Sequence, residues 1–148
     1  MQDLKEAITQ SYIVRGMTAE EIDAVIAITE KRLYNGGDTL VRQFDKSKDL
    51  MIILDGGARV NTFSGDRIIE IGPGSIVGEI ALLDDQPRSA TVTSVKSTTV
   101  AFVSGEKLRT LMDAKPRIEL MVLRNLSRTL CSYIRMANLQ LEGLMNKP

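Results

Sequence analysis

Hydrophobic positions divide the chain into a helical start, a strand-rich middle and a helical end. Near the start, Leu4, Ala7 and Ile8 recur at the spacing of one helix face. Thr18 and Glu21 have the spacing of a capping box, which predicts that a second helix begins there. The buried stripe of this second helix is predicted to be Ile22, Val25, Ile26 and Thr29. Residues 1–30 are therefore expected to form an N-terminal helical bundle.

The middle of the chain, residues 31–104, consists of short apolar or alternating runs separated by glycine-containing turns. The candidate strands are residues 32–34, 39–42, 50–54, 58–63, 67–71, 90–95 and 98–102, and a turn is predicted at residues 64–66. Several short strands at a spacing of about 8 to 12 residues indicate an antiparallel barrel or jelly roll rather than a parallel sheet.

A helical period returns in residues 105–148. Lys115 and Pro116 interrupt it, and no proline or turn cluster follows until Leu144, which predicts a last helix of nearly thirty residues. Its heptad seam is Leu120, Leu123, Ser127, Leu130, Ile134, Ala137, Leu141 and Leu144. A second apolar row is Met121, Val122, Leu126, Tyr133 and Met136. Either the helix packs wholly on its own barrel or, as we favour, the seam pairs with a second copy to form a homodimer.

The composition narrows the classes of function. The 148 residues correspond to about one domain, and 19 basic residues balance 19 acidic ones, which argues against nucleic acid as a partner. The chain contains no histidine, so the commonest metal ligand and general base are absent. Its single cysteine, Cys131, lies in an apolar helical stretch and is predicted to be a buried thiol without a chemical role.

Targeting segments are not visible in the sequence. The first six residues lack the apolar run of a secretory signal. No run approaches the roughly 18 apolar residues of a membrane span. We therefore expect a cytoplasmic protein that has no membrane partner.

Residues 74–92 differ from the rest of the strand-rich region. Glycines lead into a short apolar stretch, and an acidic loop, Pro87 and Arg88 follow before the next strand. A helical turn approached through glycine presents backbone N–H groups to an anion, and Arg88 can offer a bidentate fork to the same anion. A phosphate would repel Glu79 unless this carboxylate accepts hydrogen bonds from the hydroxyls of an attached sugar. The segment therefore suggests a receptor for a phosphorylated ribose, or alternatively an ion pair between Glu79 and Arg88 that closes an irregular loop.

These residues resemble the phosphate-binding cassette of the cyclic nucleotide-binding domain family. The resemblance rests on Gly78-Glu79-Ile80-Ala81-Leu82-Leu83 followed by Pro87-Arg88-Ser89-Ala90-Thr91-Val92, and on glycine landmarks at residues 34–38, 51–56 and 71–74. It covers roughly residues 5 to 140. It implies an eight-stranded antiparallel β roll with N-terminal helices, a short cassette helix and a long C-terminal helix. The chain departs from many members at Val77, where they carry an aromatic residue.

The resemblance assigns roles to particular residues. Glu79 matches the glutamate that accepts the ribose 2′-hydroxyl, and Arg88 matches the arginine that binds the phosphate. Backbone N–H groups of Ile80, Ala81 and Ala90 and the side chain or amide of Ser89 would complete the phosphate cradle. Gly78 would allow the close approach that a side chain blocks.

The base is less strongly specified. Ser89 matches the serine of bacterial cAMP receptors, so the resemblance favours cAMP over cGMP, although a serine can also hydrogen-bond a guanine. We expect the base to meet the last helix, where Tyr133 is the candidate for stacking and Ser132 or Arg135 are possible polar contacts. The alternative interpretation is that Tyr133 is an ordinary interface residue.

The pattern favours a binding module over an enzyme. No base lies beside a hydroxyl nucleophile, and no acidic cluster has metal-ligand spacing, so no cofactor other than the ligand is expected. Ligand binding is predicted to shift the cassette against the last helix and to signal to an unidentified effector protein or a missing effector domain. The alternatives are a receptor for cGMP or a cyclic dinucleotide, a dimerisation module without ligand, and a cupin-type enzyme, which the missing histidines disfavour.

Overall fold

The N-terminal helices of the computed structural model agree with the predicted pattern, apart from one boundary. The structure describes residues 3–61, 68–84 and 86–146. It begins with α1 (Leu4–Gln10), a 3-10 helix (Tyr12–Val14) and α2 (Ala19–Ala27). The predicted capping box is present: the Thr18 hydroxyl accepts from the Glu21 amide at 3.2 Å, and Glu21 accepts from the Thr18 amide at 2.8 Å.

Thr29 does not belong to the helical stripe, as the periodicity had suggested. Its hydroxyl donates to the Val25 carbonyl at 2.7 Å, and its backbone begins the first strand. A threonine hydroxyl that bonds the carbonyl four residues earlier competes with helix continuation, which accounts for the end of the helix there.

Eight antiparallel strands form two four-stranded sheets, as the resemblance implied. The strands are β1 (Thr29–Tyr34), β2 (Thr39–Val41), β3 (Leu50–Asp55), β4 (Ala58–Asn61), β5 (Ile68–Ile71), β6 (Ile76–Val77), β7 (Thr91–Ser94) and β8 (Thr98–Val103). One sheet has the order β1-β8-β3-β6 and the other has the order β2-β7-β4-β5. The strand-like pattern missed β6, which has only two residues. The predicted turn at 64–66 and the strand residues 62, 63 and 67 lie outside the described residues.

The core has two parts that share β3. Leu50, Ile52 and Leu54 face the helices, whereas Met51 and Ile53 face the interior between the two sheets. A strand that is buried on both faces reads as a continuous apolar run, which is why the sequence predicted β3 closely. β3 and its neighbour β8 thus join the helical layer to the roll that contains the cleft described below.

The C-terminal helices are α3 (Gly105–Ala114) and α4 (Pro116–Met145). In the first half of α4, Ile118, Val122 and Leu126 are buried against the core. From residue 131 onward the described residues of α4 are exposed, and within the seam Ile134 is 59% exposed and Leu141 is 55% exposed. No helix in the described parts of the chain is long and apolar enough to cross a membrane.

The prediction that Cys131 is buried is wrong. The thiol is exposed because it lies on the half of α4 that extends beyond the body of the chain. An apolar helical stretch indicates burial only when a partner covers it, and each described residue of α4 from 131 onward is exposed within this single chain.

Candidate functional site

One cleft of about 460 Å³ brings the predicted site residues together. Its volume falls in the range of about 300–1,000 Å³ that is usual for small-molecule sites. The predicted residues on its wall are Gly78, Glu79, Ile80, Ala81, Arg88, Ser89, Ala90 and Tyr133. Apolar side chains from the strands of the roll, including Val41, Val60 and Val92, complete the lining. The cleft therefore has a polar edge and an apolar interior.

Gly78 allows the cassette to approach its neighbours closely. Its φ of +92° lies in the left-handed region that glycine adopts without strain. A Cβ at this position would lie 2.5 Å from Nη1 of Arg88 and 2.6 Å from the Asp49 carbonyl oxygen. The close contacts that require a glycine at this position are thus those with Arg88 and Asp49 of the chain itself.

A short 3-10 helix, Glu79–Leu82, follows Gly78. Lys48 reaches its far end, where Nζ donates to the carbonyl oxygens of Ala81 at 3.3 Å and Asp84 at 3.0 Å. A cation at the C-terminal end of a helix satisfies carbonyls that lack an intrahelical donor. Lys48 therefore ties the cassette helix to the loop between β2 and β3.

Arg88 is buried, with 6% of its surface exposed, and the same loop holds its guanidinium. Nη1 donates to the Gly78 carbonyl at 3.0 Å, and Nη2 donates to the Asp49 carbonyl at 2.7 Å and the Ser47 hydroxyl at 3.3 Å. Its Nε is buried and has no hydrogen-bond partner. The Nε donor of Arg88 is thus unused by the described chain.

The charge of Arg88 is not neutralised by an ion pair with any carboxylate of the described residues. Burial lowers the pKa of Arg88, while the charges of Asp49, Asp45 and Glu79 act in the opposite direction. The direct ion pair between Glu79 and Arg88, considered as an alternative from the sequence, is not formed. A buried guanidinium held only by neutral oxygens is electrostatically suited to an anion in the cleft.

Glu79 faces Tyr133 of α4 across the cleft. Burial raises the pKa of the Glu79 carboxyl, and a bond to its own amide, the charge of Arg88 and a hydrogen bond with Tyr133 partly oppose this. Burial and the neighbouring Glu79 raise the pKa of the Tyr133 phenol. Tyr133 is 49% exposed, so one side of the phenol remains open to solvent. This arrangement joins the cassette to the last helix through a carboxylate and a phenol.

The other candidates divide into two groups. Ser89 is exposed and Ala90 is half-buried at the cleft edge, and Val77 is buried in its wall. Ser132 does not line this cleft, and its hydroxyl donates to the Arg128 carbonyl at 3.3 Å. Arg135 is exposed and also does not line the cleft. Of the possible base contacts on α4, the structure places only Tyr133 at the cleft.

Sequence reasoning missed the loop between β2 and β3. In addition to the side-chain bonds above, the Phe44 amide donates to the Arg88 carbonyl and the Arg88 amide donates to the Asp45 carbonyl, both at 2.8 Å. Phe44 has a φ of +73°, which is unusual for a residue other than glycine. The loop reads as an ordinary charged connection, because most of its contacts with Arg88 use backbone atoms that carry no residue-specific signal.

The site offers groups that can recognise a small anionic ligand. The cleft combines a buried cation, a carboxyl group and an apolar interior. Within the described residues, no group of histidine, cysteine or acidic side chains could hold a metal ion. A ligand with an anionic group, hydroxyls and a flat apolar part matches this combination.

Comparison with known proteins supports the same interpretation. Residues 31–115 match a family model described as the cyclic nucleotide-binding domain. The chain is 30% identical over 138 residues to the cyclic AMP receptor protein of Thermus thermophilus, covering 90% of this chain and 62% of that protein. The crystal structure of the catabolite activator protein of Thermus thermophilus has a TM-score of 0.73 at 29% identity, over 91% of this chain and 63% of that chain.

A second similar structure is the regulatory domain of Toxoplasma gondii PKA crystallised with cAMP. It has a TM-score of 0.68 at 25% identity, over 79% of this chain and 49% of that chain. The chain therefore spans less than two-thirds of the length of each of these relatives. Because the family model matches more than half of the sequence and the fold agrees along most of it, the chain belongs to the cyclic nucleotide-binding domain family.

Proposed function

We propose that this chain is a sensor domain that binds cAMP in the cleft and signals without catalysing a reaction. The observation that carries the proposal is Arg88, which is buried at the cleft wall without a carboxylate partner among the described residues and with an unused Nε donor. An uncompensated buried charge is costly, and the cyclic phosphate of a nucleotide would compensate it. Arginine suits this role because its fork matches phosphate oxygens.

The remaining predicted residues fit the rest of the nucleotide. Glu79 accepts the ribose 2′-hydroxyl, which avoids the repulsion that a carboxylate would have with a phosphate. The amides of Ile80, Ala81 and Ala90, together with Ser89, face the phosphate. Gly78 keeps Arg88 close to the cassette, since a Cβ there would meet the guanidinium. Tyr133 stacks on the base from α4.

The preference for cAMP rests on Ser89 and on the relatives. The similar Thermus protein is named a cyclic AMP receptor, and the similar Toxoplasma domain was crystallised with cAMP. The exposed hydroxyl of Ser89 at the cleft edge can also hydrogen-bond a guanine, so cGMP is the second candidate.

Calorimetry of the purified chain with cAMP, cGMP and a cyclic dinucleotide tests class and base together. We expect heat of binding with cAMP and weaker binding of cGMP. Tighter binding of cGMP or of the cyclic dinucleotide would overturn the choice of ligand. Absence of binding to all three at millimolar concentration would overturn the sensor itself and favour a dimerisation module without ligand.

We propose that α4 carries the output and pairs with a second copy of the chain. The heptad seam is exposed at both ends of α4, with Leu120 55%, Ile134 59% and Leu144 64% exposed. Light scattering of Ile134→Glu should show monomers where the unmodified chain is dimeric. Leu139→Glu is the matched control, because Leu139 is also exposed but lies opposite the seam. A dimer that persists in Ile134→Glu would show that the seam is not the interface.

The effector is proposed to lie in another protein or in the additional length that the relatives possess. Glu79 and Tyr133 connect the cassette to α4, so ligand binding at the cassette would move this helix. We place the sensor in the cytoplasm, where cyclic nucleotides are available as ligands.

A further inference from the structure

A second, smaller cavity lies where the first 3-10 helix packs beside α4. Its volume is about 100 Å³, against about 460 Å³ for the nucleotide cleft. Its lining residues are Tyr12, Arg15, Asn125, Arg128, Thr129 and Ser132. None of them lines the larger cleft. Each of these residues has a polar side chain, which distinguishes the cavity from a packing defect in the core.

Two arginines give this cavity a positive charge. Neither Arg15 nor Arg128 forms an ion pair with a carboxylate in the parts of the chain that the structure describes. Other exposed arginines do form such pairs, for example Arg32 with Glu30 and Arg117 with Glu21. Two uncompensated guanidinium groups at one cavity attract an anion and can bind its oxygens through planar forks.

A buried hydroxyl adds a donor to this charge. The Tyr12 hydroxyl is buried beside Thr129 and donates to no acceptor in the described chain. A phenol carries its proton at neutral pH, and burial raises the pKa of Tyr12 further, so this hydroxyl is able to donate. A buried donor without an acceptor costs free energy, which a bound oxygen atom would recover.

The walls of the cavity are held in place by Asn125. Its side-chain nitrogen donates to the carbonyl oxygens of Ile13 at 2.8 Å and Arg15 at 2.9 Å, and the residue is buried. These bonds fasten the end of the 3-10 helix to α4 beside the cavity that Arg15 and Arg128 line. The cavity is therefore a feature of two packed elements.

We propose that this cavity is a binding site for a free small oxyanion, a phosphate or a carboxylate, separate from the nucleotide cleft. Arg15 and Arg128 supply the charge, and the Tyr12 hydroxyl supplies a donor that the described chain leaves unused. The volume accommodates one such group and excludes a nucleoside. The site adjoins the cleft through the Tyr12 phenol, which interacts electrostatically with both Glu79 and Tyr133.

The test is a titration of the nucleotide-free chain with inorganic phosphate, followed by NMR of backbone amides, with sodium chloride at matched ionic strength as reference. We expect saturable shifts at residues 12, 15, 128, 129 and 132. Arg128→Gln should raise the dissociation constant about tenfold, which corresponds to about 1.4 kcal/mol, because the variant removes a charged donor. Arg124→Gln, on the exposed surface of the same helix, should leave it unchanged.

Tyr12→Phe tests the contribution of the hydroxyl. The variant retains the ring and loses only a hydroxyl that donates to no acceptor in the described chain, so we expect it to fold. It should weaken phosphate binding while leaving the melting temperature unchanged or higher. Shifts equal to those in sodium chloride, or equal losses in Arg128→Gln and Arg124→Gln, would overturn the site. Shifts centred on Glu79 and Arg88 would also overturn it, because phosphate would then occupy the nucleotide cleft. Calorimetry with cAMP reports separately on that cleft, and an equal loss of cAMP affinity in Arg128→Gln would show that the cavity is not a separate site.

Discussion

The two charged residues of the cleft are held in very different ways. Arg88 is fixed by the loop between β2 and β3, which bonds both its backbone and its guanidinium. Glu79 instead faces Tyr133, a half-exposed residue on the part of α4 where the helix leaves the body. The Arg88 side is fixed by bonds within the roll, whereas the Glu79 side depends on where α4 lies. The proposed signalling relies on this difference, because Glu79 is the charged residue of the cleft that is joined to α4.

The largest expected effect comes from removing the guanidinium of Arg88. Arg88→Ala should weaken cAMP binding by about 2 to 5 kcal/mol, because a desolvated phosphate would lose its charge partner. Calorimetry measures the loss, and a thermal melt checks that the variant folds. Arg124→Ala, which removes an exposed arginine of α4, is the control and should bind normally. Unchanged affinity in Arg88→Ala would place the ligand elsewhere.

The next effect concerns the close approach that lets Arg88 pack. Gly78→Ala should lower the free energy of unfolding by about 2–4 kcal/mol, the sum of left-handed backbone strain and a clash. Gly74→Ala is a matched control because Gly74 has a φ of +89° but nothing within 4 Å of its Cβ position. It should cost only the strain, about 1–2 kcal/mol. Equal losses in denaturant melts of the two variants would mean that the contact with Arg88 and Asp49 is unimportant.

A smaller effect is expected from the loop that holds the guanidinium. Ser47→Ala removes one acceptor of Arg88 Nη2 and leaves the bond to the Asp49 carbonyl in place. We expect cAMP affinity to fall by about 1 kcal/mol, the usual worth of one hydrogen bond. Ser97→Ala, an exposed serine outside the cleft, is the control for calorimetry. A loss as large as that of Arg88→Ala would show that the loop does more than position the arginine.

The sequence predicted those parts of the fold and site that depend on side-chain type. The strand β3 is a run of apolar residues, and the glycine, glutamate and arginine of the cassette occur at fixed spacing. The role of the loop from Phe44 to Asp49 could not be predicted, because the loop holds Arg88 largely through backbone carbonyl and amide groups. Cys131 was misplaced for a different reason: apolar periodicity indicates that a face is suited to burial, and the body of the chain covers only the first half of α4.

The smallest expected effect concerns Glu79 in the absence of ligand and takes the form of a pH dependence. Burial raises the pKa of this carboxyl, so the folded chain holds its proton more tightly than the unfolded chain does. Stability from this group is therefore present at low pH and is lost as pH rises through the pKa of the folded state. Glu79→Gln removes the titrating carboxyl group, so the variant does not lose this stability as pH rises. Its melting temperature should match that of the unmodified chain near pH 4 and exceed it at pH 7 by less than about 4 °C, the shift that corresponds to 1 kcal/mol at this size.

The same variant should bind cAMP more weakly, since an amide accepts the ribose hydroxyl less well than a carboxylate does. Glu142→Gln, on the exposed half of α4, should change neither property. A Glu79→Gln variant that is less stable than the unmodified chain at pH 7 would show that the carboxylate is stabilised by its surroundings. In that case the Glu79 side would be fixed as firmly as the Arg88 side, and α4 would lose its proposed role as the element that responds to ligand.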